Sequence, residues 1–256
     1  MWISTNVAIQ GSSHIKSCTP CQDYVDSVIT EKGGAIVLSD GAGSAKYSNV
    51  GSEISCSALF DYISERFDEL YNGNAHEIKL NIIHRIRTRL GIAAKNRSTK
   101  KDDFASTLLF VAIENDKFVC GHLGDGVIGY ITLDNSVEVL SKPENGEFAN
   151  TTFFTVSKNY QRHLRLIKGS TKEVKAFFLM SDGAAECLYQ RKSNQFANAI
   201  NMFSNWIDLY DITEVKKAIK ENLERLFPLQ TTDDCSFNII QRKENLSKNS
   251  QGKNIQ

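Results

Sequence analysis

The sequence predicts an α+β fold in which stacked, mainly antiparallel β-sheets are flanked by helices. Three observations predict it. Short apolar runs broken by Gly, Ser and Asp fill residues 7–45, and a block of helical period then runs from Ser48 to Ala93. Strands, helices and a last strand follow in blocks, without the strict alternation of a doubly wound parallel sheet.

The chain has 256 residues, 41% hydrophobic and 23% charged. That suffices for one large sheet-rich domain, expected over residues 1–240. Lys and Arg number 30, balanced by 30 Asp and Glu, so nothing electrostatic favours nucleic acid or an anionic membrane as partner. No apolar run approaches the about 18 residues of a spanning helix. The start, Met1-Trp2-Ile3-Ser4-Thr5-Asn6, lacks the basic region and apolar core of a secretory signal. A cytoplasmic location with six free cysteines is the expectation, and a zinc or redox role for Cys18-x-x-Cys21 ranks below it.

Element by element, strands are expected at 7–9, 24–29 and 35–38. Ile54, Ala58, Tyr62, Phe67 and Leu70, then Ile78, Ile82, Ile86, Leu90 and Ala93, recur at three- and four-residue steps around Asn72-Gly73-Asn74. They predict two amphipathic helices joined by a turn. Residues 106–113 and 117–122 read as a hairpin around Glu114-Asn115-Asp116, followed by strands at 127–132 and 176–180. Residues 141–165 are polar, hold Pro143 and Gly146 and show no period, which predicts a long flap-like insertion. Helices are expected at 196–210 and 212–226, a last strand at 236–240, and a disordered polar tail over 241–256.

The informative residues are acids at strand exits. Asp40 and Asp182 each end an apolar run in a Ser-Asp-Gly sequence, and Asp125 sits in Gly124-Asp125-Gly126. A lone Asp-Gly is ordinarily a surface turn. Three at strand ends, extended by Asp23 and by Asp233-Asp234, suit a hard cation such as Mg²⁺ or Mn²⁺, which prefers oxygen ligands.

These motifs, in order Gln22-Asp23, Ser39-Asp40-Gly41-Ala42-Gly43-Ser44-Ala45, Ser106-Thr107, Gly124-Asp125-Gly126, Ser181-Asp182-Gly183 and Asp233-Asp234-Cys235-Ser236, resemble those of the protein phosphatase 2C (PPM) family, over nearly the whole chain. The resemblance implies an αββα sandwich with a binuclear Mn²⁺ or Mg²⁺ centre at one end, two ions and a third at a weaker site. It implies that Asp23, Asp40, the Gly41 carbonyl, Asp182 and Asp233 are ligands, with Asp40 bridging two ions and Asp125 serving the third. The implied activity is hydrolysis of phosphoserine and phosphothreonine in proteins by metal-activated water, with no covalent enzyme intermediate. A phosphorylated protein is the implied partner, and a cognate kinase its source.

Two departures stand out. Ala42 replaces the His usual in the second motif, and Cys18–Gln22 lacks the arginine that usually grips phosphate. The resemblance is therefore to a divergent bacterial-type branch. His14 is the candidate general acid and, with Lys16, the candidate phosphate-binding group, both expected in a loop over 11–21. His122 is expected to be packed, and His163 to lie on a solvated face. A phosphoprotein-binding pseudophosphatase and a hydrolase of small phosphoesters remain open alternatives.

Overall fold

The structure, a computed structural model, describes residues 1–144 and 152–243. The chain runs through β1 (Trp2–Ile9), α1 (Ser12–Ser17), β2 (Tyr24–Thr30), β3 (Gly33–Ser39), α2 (Ser48–Asn72), α3 (Ala75–Asn96), β4 (Leu108–Glu114), β5 (Lys117–Leu123), β6 (Val127–Thr132) and β7 (Val137–Ser141). There follow α4 (Tyr160–His163), β8 (Arg165–Ser170), β9 (Val174–Met180), α5 (Asp182–Leu188), β10 (Tyr189–Gln190), β11 (Gln195–Phe196), α6 (Ala199–Leu209), α7 (Ile212–Leu226) and β12 (Cys235–Arg242).

Two five-stranded sheets form, ordered β1-β12-β9-β6-β7 and β2-β3-β4-β5-β8, with every pairing antiparallel. The alternation of side chains along a strand decides what each face meets. Ile36, Leu38, Leu109, Val111, Phe177 and Leu179 point between the sheets. Their neighbours Ala35, Val37, Phe110 and Ala112 face α2 and α3, while Ala176, Phe178 and Met180 face α5, α6 and α7. Strands buried on both faces explain the unbroken apolar runs, and the αββα sandwich expected from the sequence is the architecture found.

The helix pair and its turn stand as expected. Asn74 caps α3, its side chain accepting from His76 N at 2.8 Å. In the β4–β5 hairpin Asn115 takes the left-handed conformation (φ 54°), which Asn tolerates better than most residues.

Four expectations are corrected. The strands β7 and β8 escape the sequence reading: both are edge strands, only partly buried, and Arg165-Leu166-Ile167-Lys168 carries no clean alternation. The helix expected from residue 196 begins at Ala199, because Gln195 and Phe196 pair with Tyr189 and Gln190 in a small hairpin. The polar tail expected from 241 is ordered at its start. Gln241 is fully buried, its amide donating to Ser204 O at 3.0 Å and Asp208 Oδ1 at 2.7 Å, and β12 runs to Arg242; residues 244–256 lie outside the described residues. Within the expected insertion, residues 145–151 lie outside them too, and α4 forms toward its end. No helix among the described residues is long and apolar enough to cross a membrane.

Candidate metal centre

Strand polarity brings the acids together. The end of β3 pairs with the start of β2 through Tyr24 and Ser39, and at that same end of the sandwich β5 turns into β6, β9 into α5, and the chain enters β12. Asp23, Asp40, Asp125, Asp182 and Asp233 occupy these junctions.

Asp40 is fixed from both sides of its peptide. Its N donates to Thr107 Oγ1 at 2.9 Å, and its O accepts from Thr107 N at 2.8 Å. Gly41 follows in a bridge to Ser106. A Cβ on Gly41 would stand 2.7 Å from Ser48 Cβ and 2.9 Å from Gln22 O, so only glycine lets the chain pass here. Gly124, with φ +124°, sets the turn that delivers Asp125.

A cleft of about 170 Å³ opens above, lined by Asp40, Asp125, Asp182 and Asp233 together with His14 and Gln22. Ligand oxygens of Asp40, Asp125 and Asp182 lie within 4.8 Å of one another. Asp23 is buried nearby, and neither of its carboxylate oxygens has a hydrogen-bond partner.

Burial, and then mutual repulsion, raises these acids. The Asp23 carboxyl is pushed up to about 8 by burial and by the charges of Asp182 and Asp234. Asp182 rises to about 6 through burial and the charges of Asp125 and Asp233. Asp40 is raised by burial and by Asp23 and Asp182, and Asp233 by burial and by Asp234 and Glu186. No lysine or arginine lines the cleft among the described residues. An oxygen-only donor set that is self-repelling, with two orphaned carboxylate oxygens beside it, fits a hard divalent cation.

The neighbouring Asp234 does something else. It is buried, accepting from Gly11 N and Gln22 N at 2.6 Å each, and its Oδ2 lies 2.9 Å from His14 Nδ1. Its oxygens are committed to holding the backbone beside the cleft, which leaves Asp233 as the acid of the pair that faces the cavity.

His14 lines the cleft as expected, but from the short helix α1 rather than a loop. Lys16 is exposed on α1 and is not brought to the cleft. The sequence reading missed Gln22, whose side chain faces the cavity while its N and O are held by Asp234 and by Gly41 N and Ser52 Oγ. Its place beside Asp23 was the available signal. Thr152 and Phe154 also line the cleft, Thr152 donating to Asp125; they sit in the aperiodic insertion, where no pattern marks them.

His122 is packed as expected. It is fully buried, 2.9 Å from both Ser141 Oγ and an Arg165 guanidinium nitrogen, and burial and that guanidinium hold its imidazole well below the usual range. His163, expected on a solvated face, is half-buried instead. It stacks on Phe153 and lies 2.9 Å from Glu144. All six cysteines are free, and burial together with the charges of Asp23 and Asp234 pushes the Cys21 thiol up to about 12, so it rests protonated.

A family profile described as protein phosphatase 2C matches residues 10–226. The chain belongs to the protein phosphatase 2C family. The enzyme class expected from the motifs, a phosphatase 2C-type protein phosphatase, follows from that membership. Solved structures share the fold. A bacterial serine phosphatase, 14% identical, superposes with a TM-score of 0.65 over 96% of this chain and 100% of its own. Stp1 from Staphylococcus aureus is 14% identical with a TM-score of 0.64, over 95% of this chain and 96% of that one. The catalytic domain of PstP, solved with two manganese ions, is 12% identical with a TM-score of 0.65, over 95% and 99%. Curated protein sequences return no match.

Proposed function

We propose that this phosphatase 2C chain is a catalytically competent, cytoplasmic phosphomonoesterase acting on phosphoserine and phosphothreonine in proteins. The observation that carries the reading is the convergence of four carboxylates on one cleft with no lysine or arginine lining it among the described residues. Such a site is complete only with divalent cations.

Asp23, Asp40, Asp182, Asp233 and the Gly41 carbonyl would hold two Mn²⁺ or Mg²⁺ ions, and Asp125 a third. Bound there, they supply a water nucleophile at neutral pH and neutralise the phosphoryl oxygens. His14 is placed to protonate the leaving alkoxide. Its Nδ1 lies against Asp234, which orients the ring and leaves Nε2 as the nitrogen for the cleft. The Gln22 amide takes over part of the arginine's task as a neutral donor to a phosphoryl oxygen.

Hydrolysis of a phosphopeptide and of an aryl phosphate, measured with Mn²⁺ and with EDTA, tests this. Metal-dependent turnover of both is expected. Full turnover in EDTA overturns the metal reading, phosphopeptide binding without turnover makes the chain a pseudophosphatase, and aryl phosphate turnover alone makes it a small-phosphoester hydrolase.

A further inference from the structure

A second cavity, of about 450 Å³, opens beside the cleft and shares Asp233 with it. Its walls are Glu186 and residues 228–233. Glu186 stands four residues after Asp182 on α5, so the two carboxylates leave the helix on one side, Asp182 lining the cleft and Glu186 the groove. The other wall is held in shape. Phe227 is buried among α6 and α7, its carbonyl accepts from Gln230 N and Thr231 N at 2.9 Å each, and Thr232 O accepts from Ser13 N at 3.1 Å and Ser13 Oγ at 2.7 Å. On this fixed wall Leu229 is 81% exposed, beside Pro228.

The groove is thus acidic and partly apolar. Among the described residues, Glu186 and Asp233 are the only charged ones lining it, and Glu186 has no ion-pair partner. A phosphorylated side chain seated over Asp233 leaves its neighbours along the polypeptide at about 3.3–3.6 Å per residue, so the next two or three on one side fall along this groove.

We propose that the groove receives the polypeptide flanking the phosphorylated residue, with Glu186 selecting a lysine or arginine whose aliphatic stem covers Leu229 and Pro228. The inference rests on the phosphatase reading and adds a substrate preference to it. Long cationic side chains suit such a wall, since the stem packs on apolar surface while the head pairs with the carboxylate. A rim charge of this kind acts on KM before kcat.

The test compares phosphopeptides carrying Arg, Ala or Glu at each of the three positions on either side of phosphothreonine. On one side, Arg is expected to lower KM about fivefold relative to Glu, Glu186→Gln to erase that difference and Glu186→Lys to invert it. A benzophenone at the preferred position is expected to cross-link to residues 228–232. Equal KM values on both sides, a preference that survives Glu186→Lys, or cross-links confined to residues 152–157 each overturn the proposal. Absence of any turnover, the aryl phosphate included, instead overturns the phosphatase reading on which it rests.

Discussion

The floor and the rim of the cleft are held by different kinds of bonds. On the floor, Asp40 and Asp182 follow β3 and β9, strands buried on both faces and paired on both sides, so whole backbone ladders fix them. On the rim, single side chains take the place of a ladder. Asp234 holds Gly11 and Gln22, and Arg87 of α3 donates to the carbonyls of Thr155, Val156 and Ser157 at 3.0, 2.5 and 2.8 Å while lying over the Tyr160 ring. The segment so pinned carries Thr152 and Phe154 into the cleft wall. Substitutions on the floor should therefore remove chemistry and spare the fold, whereas substitutions on the rim should cost stability or substrate fit.

The largest effect is expected at the floor. Asp40→Asn should lower Mn²⁺-dependent aryl phosphate turnover by roughly a hundredfold or more, while leaving the metal-free melting temperature level or higher, because one member of a repelling set is gone. A lower metal-free melting temperature breaks the contrast, since it makes this floor carboxylate part of the scaffold. Asp234→Ala should do the opposite. Two buried backbone amides lose their acceptor, which costs about 3 kcal/mol and lowers the melting temperature by roughly 9 °C in thermal denaturation.

The floor also sets a pH dependence. Asp23 and Asp182 are raised in the fold, to about 8 and about 6, so the metal-free folded state keeps protons that the unfolded chain has released above about pH 4. Their contribution is fully present below about pH 4 and is lost as pH rises through 6 and then 8. The metal-free melting temperature should fall between pH 5 and 8, and saturating Mn²⁺ should remove the slope. A rise over that interval contradicts the assignment. Smaller still, Arg87→Met should raise KM for a phosphoprotein about fivefold and change aryl phosphate kcat less than twofold. Equal losses on both substrates would place Arg87 with the floor.

The same division governs what the sequence discloses. Asp40 and Asp182 are legible because a run buried on both faces ends in Ser-Asp-Gly, a local pattern with a local cause. The edge strands β7 and β8 are not, since partial burial leaves no clean alternation to read. The rim is hidden for a different reason. Arg87 is one polar residue in an amphipathic helix, and its partners lie about 70 positions away in an aperiodic segment. Asp233 and Asp234 are adjacent and chemically identical, so only the fold separates the one that faces the cleft from the one that ties down Gly11 and Gln22. Charge marks Lys16 in the sequence and nothing marks the Gln22 amide, yet backbone geometry turns the amide inward and leaves the lysine in solvent.

One feature of the topology bears on how the molecule comes into being. The last strand, β12, lies between β1 and β9, and β1 touches its sheet through β12 alone, in a register that sets Trp2 opposite Arg242. Contacts that span nearly the whole chain form late and slowly. During synthesis, the first strand waits without a partner until the last one has left the ribosome, and Asp233 and Asp234 arrive with it. The nascent chain therefore holds only part of its acidic cluster and neither anchor of α1. On the phosphatase reading proposed above, a copy that lacks β12 has no assembled centre with which to strip phosphate from its surroundings.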